Sequence, residues 1–146
     1  ANYFSWNVRK GTALQVRNEQ DDIAYPLSSA IFRNCIIAGS GTDEINGGRS
    51  KNENIAYYYF SHCLINSVKE ENDKIVNVIW EKDDNFLLMD SRTQEYSFSL
   101  NEKSKAINLG KQEDAIAYPT DRNGNSRLQD TAPDAGCYEK SASKDE

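Results

Sequence analysis

The amino-acid sequence predicts an all-β chain of the solenoid kind, and three observations carry that expectation. Residues 30–40 recur as residues 58–67 at a constant offset: Phe32 becomes Phe60, Cys35 becomes Cys63, Ile36 becomes Leu64 and Ile37 becomes Ile65, each 28 positions on. Strand-like repeats at such a spacing mark stacked arrays, in which each copy buries its apolar face against the next. No segment carries apolar residues at i, i+3, i+4 and i+7 over three turns, so helix signals are almost absent. Short apolar or alternating runs instead alternate with stretches rich in Asn, Asp, Gly and Ser, the chemistry of turns and loops.

Taken in order, the expected strands are Thr12–Val16, the two repeats, Ile75–Trp80, Phe86–Met89 and Tyr96–Leu100. The longest polar connections run from Asn18 to Ser28, Gly39 to Asn54 and Lys69 to Lys74. Because successive strand side chains point to opposite faces, Phe32, Phe60, Ala30 and Tyr58 are expected inside, and Ile31, Arg33, Tyr59 and Ser61 outside. The stacks Phe32 on Phe60 and Ile36 on Leu64 are expected to form the core. Asn34 and His62 fall at the corner between two short strands, where a short polar side chain can satisfy turn backbone groups.

A chain of 146 residues is one domain, long enough to bury about two-thirds of its unfolded surface. Its 17 basic and 23 acidic side chains give a net charge of −6, the wrong sign for nucleic acid or an anionic membrane surface. No run approaches the ~20 apolar residues that a spanning helix needs. The opening Ala1-Asn2-Tyr3-Phe4-Ser5 has neither a basic nor an apolar leader region, so either a signal has been removed or upstream sequence is missing, and its strand-like character favours the second.

Three cysteines cannot all pair within one chain. If the repeats stack, Cys35 and Cys63 lie about 4.8 Å apart along the stack, at the short end of the range for a disulfide. A ladder of reduced, buried thiols is the main expectation, and a cross-link is the alternative.

The segments F-x-N-C-I-I-x-G-S (from Phe32) and Y-x-F-x-H-C-L-I (from Tyr58) resemble right-handed parallel β-helix proteins secreted by Bacteroides-type bacteria. The C-terminal part is more specific. Ser104-Lys105-Ala106-Ile107-Asn108-Leu109-Gly110 resembles the family's S-P-A-I-D-x-G, with Lys105 in place of Pro and Asn108 in place of Asp. Asp121-Arg122-Asn123-Gly124-Asn125-Ser126-Arg127, followed by Ala132 to Glu139, is similar to the family's closing segment; Ala135-Gly136-Cys137 replaces its usual Ile-Gly-Ala. The resemblance covers about Thr12 to Glu139. It implies a right-handed parallel β-helix with coils over 1–110, a C-terminal cap over 111–139 and a polar tail over 140–146. It also implies that the chain is the C-terminal part of a longer solenoid, whose open N-terminal coil edge invites self-association.

Catalytic signals are weak. His62 is the only histidine, so a Ser–His–Asp device would have to use it, against its expected corner role, and a His-based zinc site lacks ligands. The acidic pairs Asp21-Asp22, Asp43-Glu44 and Asp83-Asp84 read as solvated turns. Asp121 to Asn125 alternates oxygen ligands like a calcium loop, but Ser126 and Ala132 stand where an EF-hand needs Gly and Glu, and Asn123-Gly124 is a tight-turn signal. Turn is preferred there, with calcium the alternative and no other cofactor expected.

The aromatic residues are the most suggestive functional feature. Tyr57 and Tyr59 alternate on the expected outer face, with Trp6 and Trp80 in other segments, and outward rings can stack on sugars unless a loop covers them. The resulting expectation is a secreted or cell-surface bacterial protein that binds polysaccharide or serves as an adhesin-like scaffold, with no catalytic or metal site in this chain. Two alternatives stand beside it: the non-catalytic end of a polysaccharide lyase or glycosidase, suggested by fold alone, and a structural, self-assembling segment.

Overall fold

The computed structural model describes residues 11–21, 23–47, 58–82 and 84–140. Strands dominate, in sheets of two or three, and a single five-residue helix, α1 (Gln112–Ile116), is present among the described residues. No helix among them is long and apolar enough to cross a membrane.

Among the described residues, three parallel ladders organise the stretch from Leu14 to Trp80. One is built from β4 (Ile31–Arg33), β7 (Tyr59–Ser61) and β9 (Ile75–Val76), and a second from β5 (Ile36–Ile37), β8 (Leu64–Ile65) and β10 (Ile79–Trp80). The third pairs β1 (Leu14–Val16) with β6 (Ile45–Gly47). Two antiparallel hairpins complete the strands: β2 (Glu19–Gln20) with β3 (Ile23–Ala24), and β11 (Phe86–Asp90) with β12 (Glu95–Leu100).

The sequence repeat is the register of the first two ladders. Phe32 lies opposite Phe60, Ile36 opposite Leu64 and Ile37 opposite Ile65. A third copy follows at a shorter spacing of 15 residues, with Phe60 opposite Ile75 and Leu64 opposite Ile79. The spacing shortens because β6 and residues 48–57 lie between the first two copies, whereas residues 66–74 alone join the second to the third.

Each copy turns the same corner. Asn34, His62 and Asn77 have φ of 50°, 54° and 50°, the left-handed region that Asn tolerates better than most side chains. The stacking also pairs corner backbone groups: Asn34 N–H donates to Ser61 O at 3.1 Å and His62 N–H to Val76 O at 2.9 Å.

Two apolar clusters lie on opposite sides of the β5–β8–β10 ladder. The first draws on all three ladders: Phe60, Cys63, Ile37 and Ile65 are buried there, with Phe32, Leu14, Ile45, Tyr58, Val78 and Trp80 against them. The Phe32 and Phe60 rings stack with centroids 5.1 Å apart. Phe32, Phe60 and Tyr58 thus lie together as expected, whereas Ile36 and Leu64 do not join them. Those two belong to the second cluster, with Phe86, Leu100, Ala106 and Ala135. The reason is the two-residue period of a strand: Ile36 and Ile37 are neighbours and must face opposite ways. Leu64 is nonetheless fully buried, because hairpin β11–β12 and the segment around Ala106 and Ala135 cover that side.

The C-terminal segment is tied to the first corner by main-chain bonds. Gly136 N–H donates to Asn34 O at 2.8 Å, and the Asn34 amide makes a two-way bond with Lys111, accepting at 2.8 Å and donating at 3.1 Å. Gly136 has φ of 103°, and a Cβ there would lie 2.9 Å from Ile36 Cδ1, so both backbone and space call for glycine.

Candidate functional site

Trp80 ends β10 on the same side of its ladder as Ile65, its register partner. That places it on the wall of a cavity of about 240 Å³, together with Tyr58, Asp43, Asn46, Ser67 and Glu70. Phe60, Ile45 and Val16 supply the apolar part of the lining. Each polar group reaches the cavity for a local reason. Asp43 and Asn46 flank the start of β6, and Asp43 Oδ1 accepts from Ile45 N–H at 3.2 Å, an Asx turn that fixes the carboxylate. The Ser67 hydroxyl, just after β8, donates to the same oxygen. Tyr58, entering β7, donates its hydroxyl to Glu70 Oε2 at 2.9 Å.

The cavity therefore combines an indole and a phenol with two carboxylates, an amide and a hydroxyl. Among the described residues no Lys or Arg lines it. Such an arrangement can pack against a flat apolar face while accepting hydrogen bonds from hydroxyl or amine groups at its edge. It repels anions.

Of the aromatic residues expected to bind sugar, Trp80 lines this cavity, and Tyr59 sits half-buried on β7 on the face opposite Phe60. Tyr57 and Trp6 lie outside the described residues. The polar partners Asp43, Asn46, Ser67 and Glu70 were not legible as a group. The usable signal was the third copy, Ile75–Trp80, whose alignment on Leu64–Ile65 puts Trp80 on the Ile37 side.

Of the acidic pair Asp43-Glu44, Asp43 is exposed, as a solvated turn residue should be, but Glu44 is not. Glu44 is fully buried, and its carboxylate accepts from Ala13 N–H at 2.9 Å and Gly41 N–H at 2.8 Å. Its backbone O accepts from Leu14 N–H and its backbone N–H donates to Asn66 O, both at 2.9 Å, so side chain and backbone together fasten the third ladder and tie it to the end of β8. Asn66, likewise buried, donates to both Gly39 O and Gly41 O at 3.0 Å.

His62 keeps the corner. Its ring lies between Ser61 Oγ at 2.7 Å from Nδ1 and Asn77 Nδ2 at 2.9 Å from Nε2. Ser61 is only 3% exposed, which denies a substrate access to its hydroxyl.

Asp121 is a turn organiser. One oxygen accepts from the N–H groups of Asn123 and Asn125 at 2.8 Å, and the other from Asn125 Nδ2 at 3.0 Å and Glu139 N–H at 2.9 Å. Burial pushes its carboxyl up, but these donors outweigh it and hold it below the usual aspartate range. Nearby, Arg127 bonds Glu139 at 2.6 Å and Gly136 O at 2.9 Å, while burial pushes the Glu139 carboxyl up. Among the described residues no group of three or more His, Cys, Asp or Glu is placed to hold a metal ion.

Comparison of the chain with known protein families, with curated proteins and with solved structures found no match.

Proposed function

We propose that this chain is a saccharide-binding scaffold of the parallel β-helix type, part of a secreted or cell-surface bacterial protein and not itself an enzyme. The β-helix reading rests on three parallel ladders, two of which follow the sequence repeat in their register, and on the corner residue recurring in each copy. The saccharide reading rests on one observation: Trp80 and Tyr58 share a cavity with Asp43, Asn46, Ser67 and Glu70. Aromatic rings match the apolar face of a pyranose, and carboxylate and amide oxygens accept from its hydroxyl groups. With two carboxylates and no cation among the described lining residues, the favoured ligands are neutral or amino sugars rather than uronates.

The test is calorimetric titration of the chain with neutral, amino and uronate oligosaccharides. Binding of neutral or amino sugars, weakened at least tenfold by Asp43→Asn or Asn46→Ala while the circular dichroism spectrum is unchanged, is the expected result. Binding that survives both substitutions, or that is confined to uronates, refutes the cavity assignment. Because Asp43 and Glu70 share the cavity, the same samples are assayed for release of reducing ends; turnover lost in Asp43→Asn would replace the scaffold reading with a glycosidase.

A further inference from the structure

We propose that Cys35 and Cys63 form a thiol–disulfide exchange site for low-molecular-weight disulfides, in which Cys35 reacts first and Cys63 resolves. Three features of the fold carry this. The register that sets Ile36 against Leu64 also sets Cys35 against Cys63, and Leu64 N–H donates to Cys35 O at 2.9 Å. Neighbouring strands lie about 4.8 Å apart, inside the ~4.4–6.8 Å range of Cα separations that a disulfide spans. Both are free thiols.

Their exposure is unequal, and that assigns the roles. Cys63 is 0% exposed, its thiol donating to Ser61 O at 3.3 Å. Cys35 is half-buried: it packs on the Cys63 side of the ladder, its thiol donates to Arg33 O at 3.0 Å toward the surface, and the residue also borders a second cavity of about 550 Å³ whose apolar wall, Ile36, Phe86, Phe98 and Leu100, lies on the other side. A small disulfide can therefore reach Cys35 but not Cys63. The ionisation order agrees: hydrogen bonding from Cys63 brings the Cys35 thiol down to about 7 against the opposing effect of burial, while Cys63 is pushed up. Cys137, exposed on the same cavity, is the competing partner that the experiment must separate.

The chemistry balances with the small disulfide as oxidant. The Cys35 thiolate attacks one of its sulfurs, forming a mixed disulfide and releasing one small thiolate. Cys35 is then neutral, so Cys63 no longer faces a negative neighbour and yields its proton to the departing thiolate. The Cys63 sulfur attacks that of Cys35 and expels the second small thiol, which takes up the proton first lost by Cys35. Two protein thiols are oxidised to one disulfide and one small disulfide is reduced to two thiols.

The test treats the reduced chain with glutathione disulfide, quenches by alkylation at intervals and maps the cysteine peptides by mass spectrometry. Expected is a transient glutathione adduct on Cys35 that converts to a Cys35–Cys63 cross-link, unaltered by Cys137→Ser. In Cys63→Ser, and in Cys63→Ala should the hydroxyl disturb the buried site, the Cys35 adduct accumulates instead. A Cys35–Cys137 cross-link as the main product, modification confined to Cys137, or no adduct at Cys35 overturns the proposal.

Discussion

Replacing Phe60 with Ala is the most direct trial of the stacked register. Phe60 is 2% exposed, its ring stacks on Phe32 at 5.1 Å and lies 5.5 Å from that of Tyr58, and its backbone is held between β4 and β9. Burial of a full aromatic side chain is worth ~1.5–3 kcal/mol in transfer alone. The rigid ladders on three sides cannot close on the void, so a cavity term adds to this and the total reaches ~3–5 kcal/mol. For a chain of this size that lowers Tm by roughly 6–20 °C. The assay is equilibrium urea unfolding with Tm by circular dichroism, m being required to stay constant. A double-mutant cycle with Phe32→Ala isolates the ring pair, expected at ~0.5–1.5 kcal/mol of coupling. A loss below ~1 kcal/mol, or strict additivity of the two substitutions, refutes the stacking.

Gly136→Ala forces a Cβ to within 2.9 Å of Ile36 Cδ1 at a φ of 103°, and is expected to destabilise by ~1–3 kcal/mol in the same melts; a neutral result refutes the close seating of the C-terminal segment on Ile36. The turn carboxylates make the pH dependence two-sided. Asp121 lies below its ordinary value of 3.8, so its contribution is present above that pH and is lost as pH falls through its lower folded value. Glu139 lies above its ordinary 4.5, so its contribution is full below that pH and is lost as pH rises through the higher folded value. In Tm against pH, Asp121→Asn should flatten the acid limb and Glu139→Gln the opposing fall; an unaltered profile in either variant refutes that assignment.

The register of the first two copies was legible because parallel in-register pairing sets like on like, so Phe32 on Phe60 and Cys35 on Cys63 could be read as an offset. The third copy escaped because its spacing drops to 15 residues and only the pattern of Ile75, Val76, Ile79 and Trp80 survives. Glu44 escaped for another reason: nothing local distinguishes a carboxylate in a polar loop from one that collects the N–H groups of Ala13 and Gly41. Its burial depends on a strand 30 positions upstream, since Leu14 pairs with Ile45.

The division between the two levels follows from the range of the forces involved. The sequence by itself determined that the chain is strand-rich, that the strands of the first two copies stack on each other, and where the corner falls, because a period of two and a left-handed corner are local properties of the backbone. It could say that Ile36 and Ile37 face opposite ways, but not that both faces would be covered. Tertiary structure decided that, by laying Phe86, Leu100, Ala106 and Ala135 over Ile36 and Leu64. It also decided that Trp80 meets Asp43 and Glu70 across one cavity. Apolar burial is non-directional and is satisfied by whichever distant segment can reach the exposed face, so the sides of a strand are written locally and their partners are not.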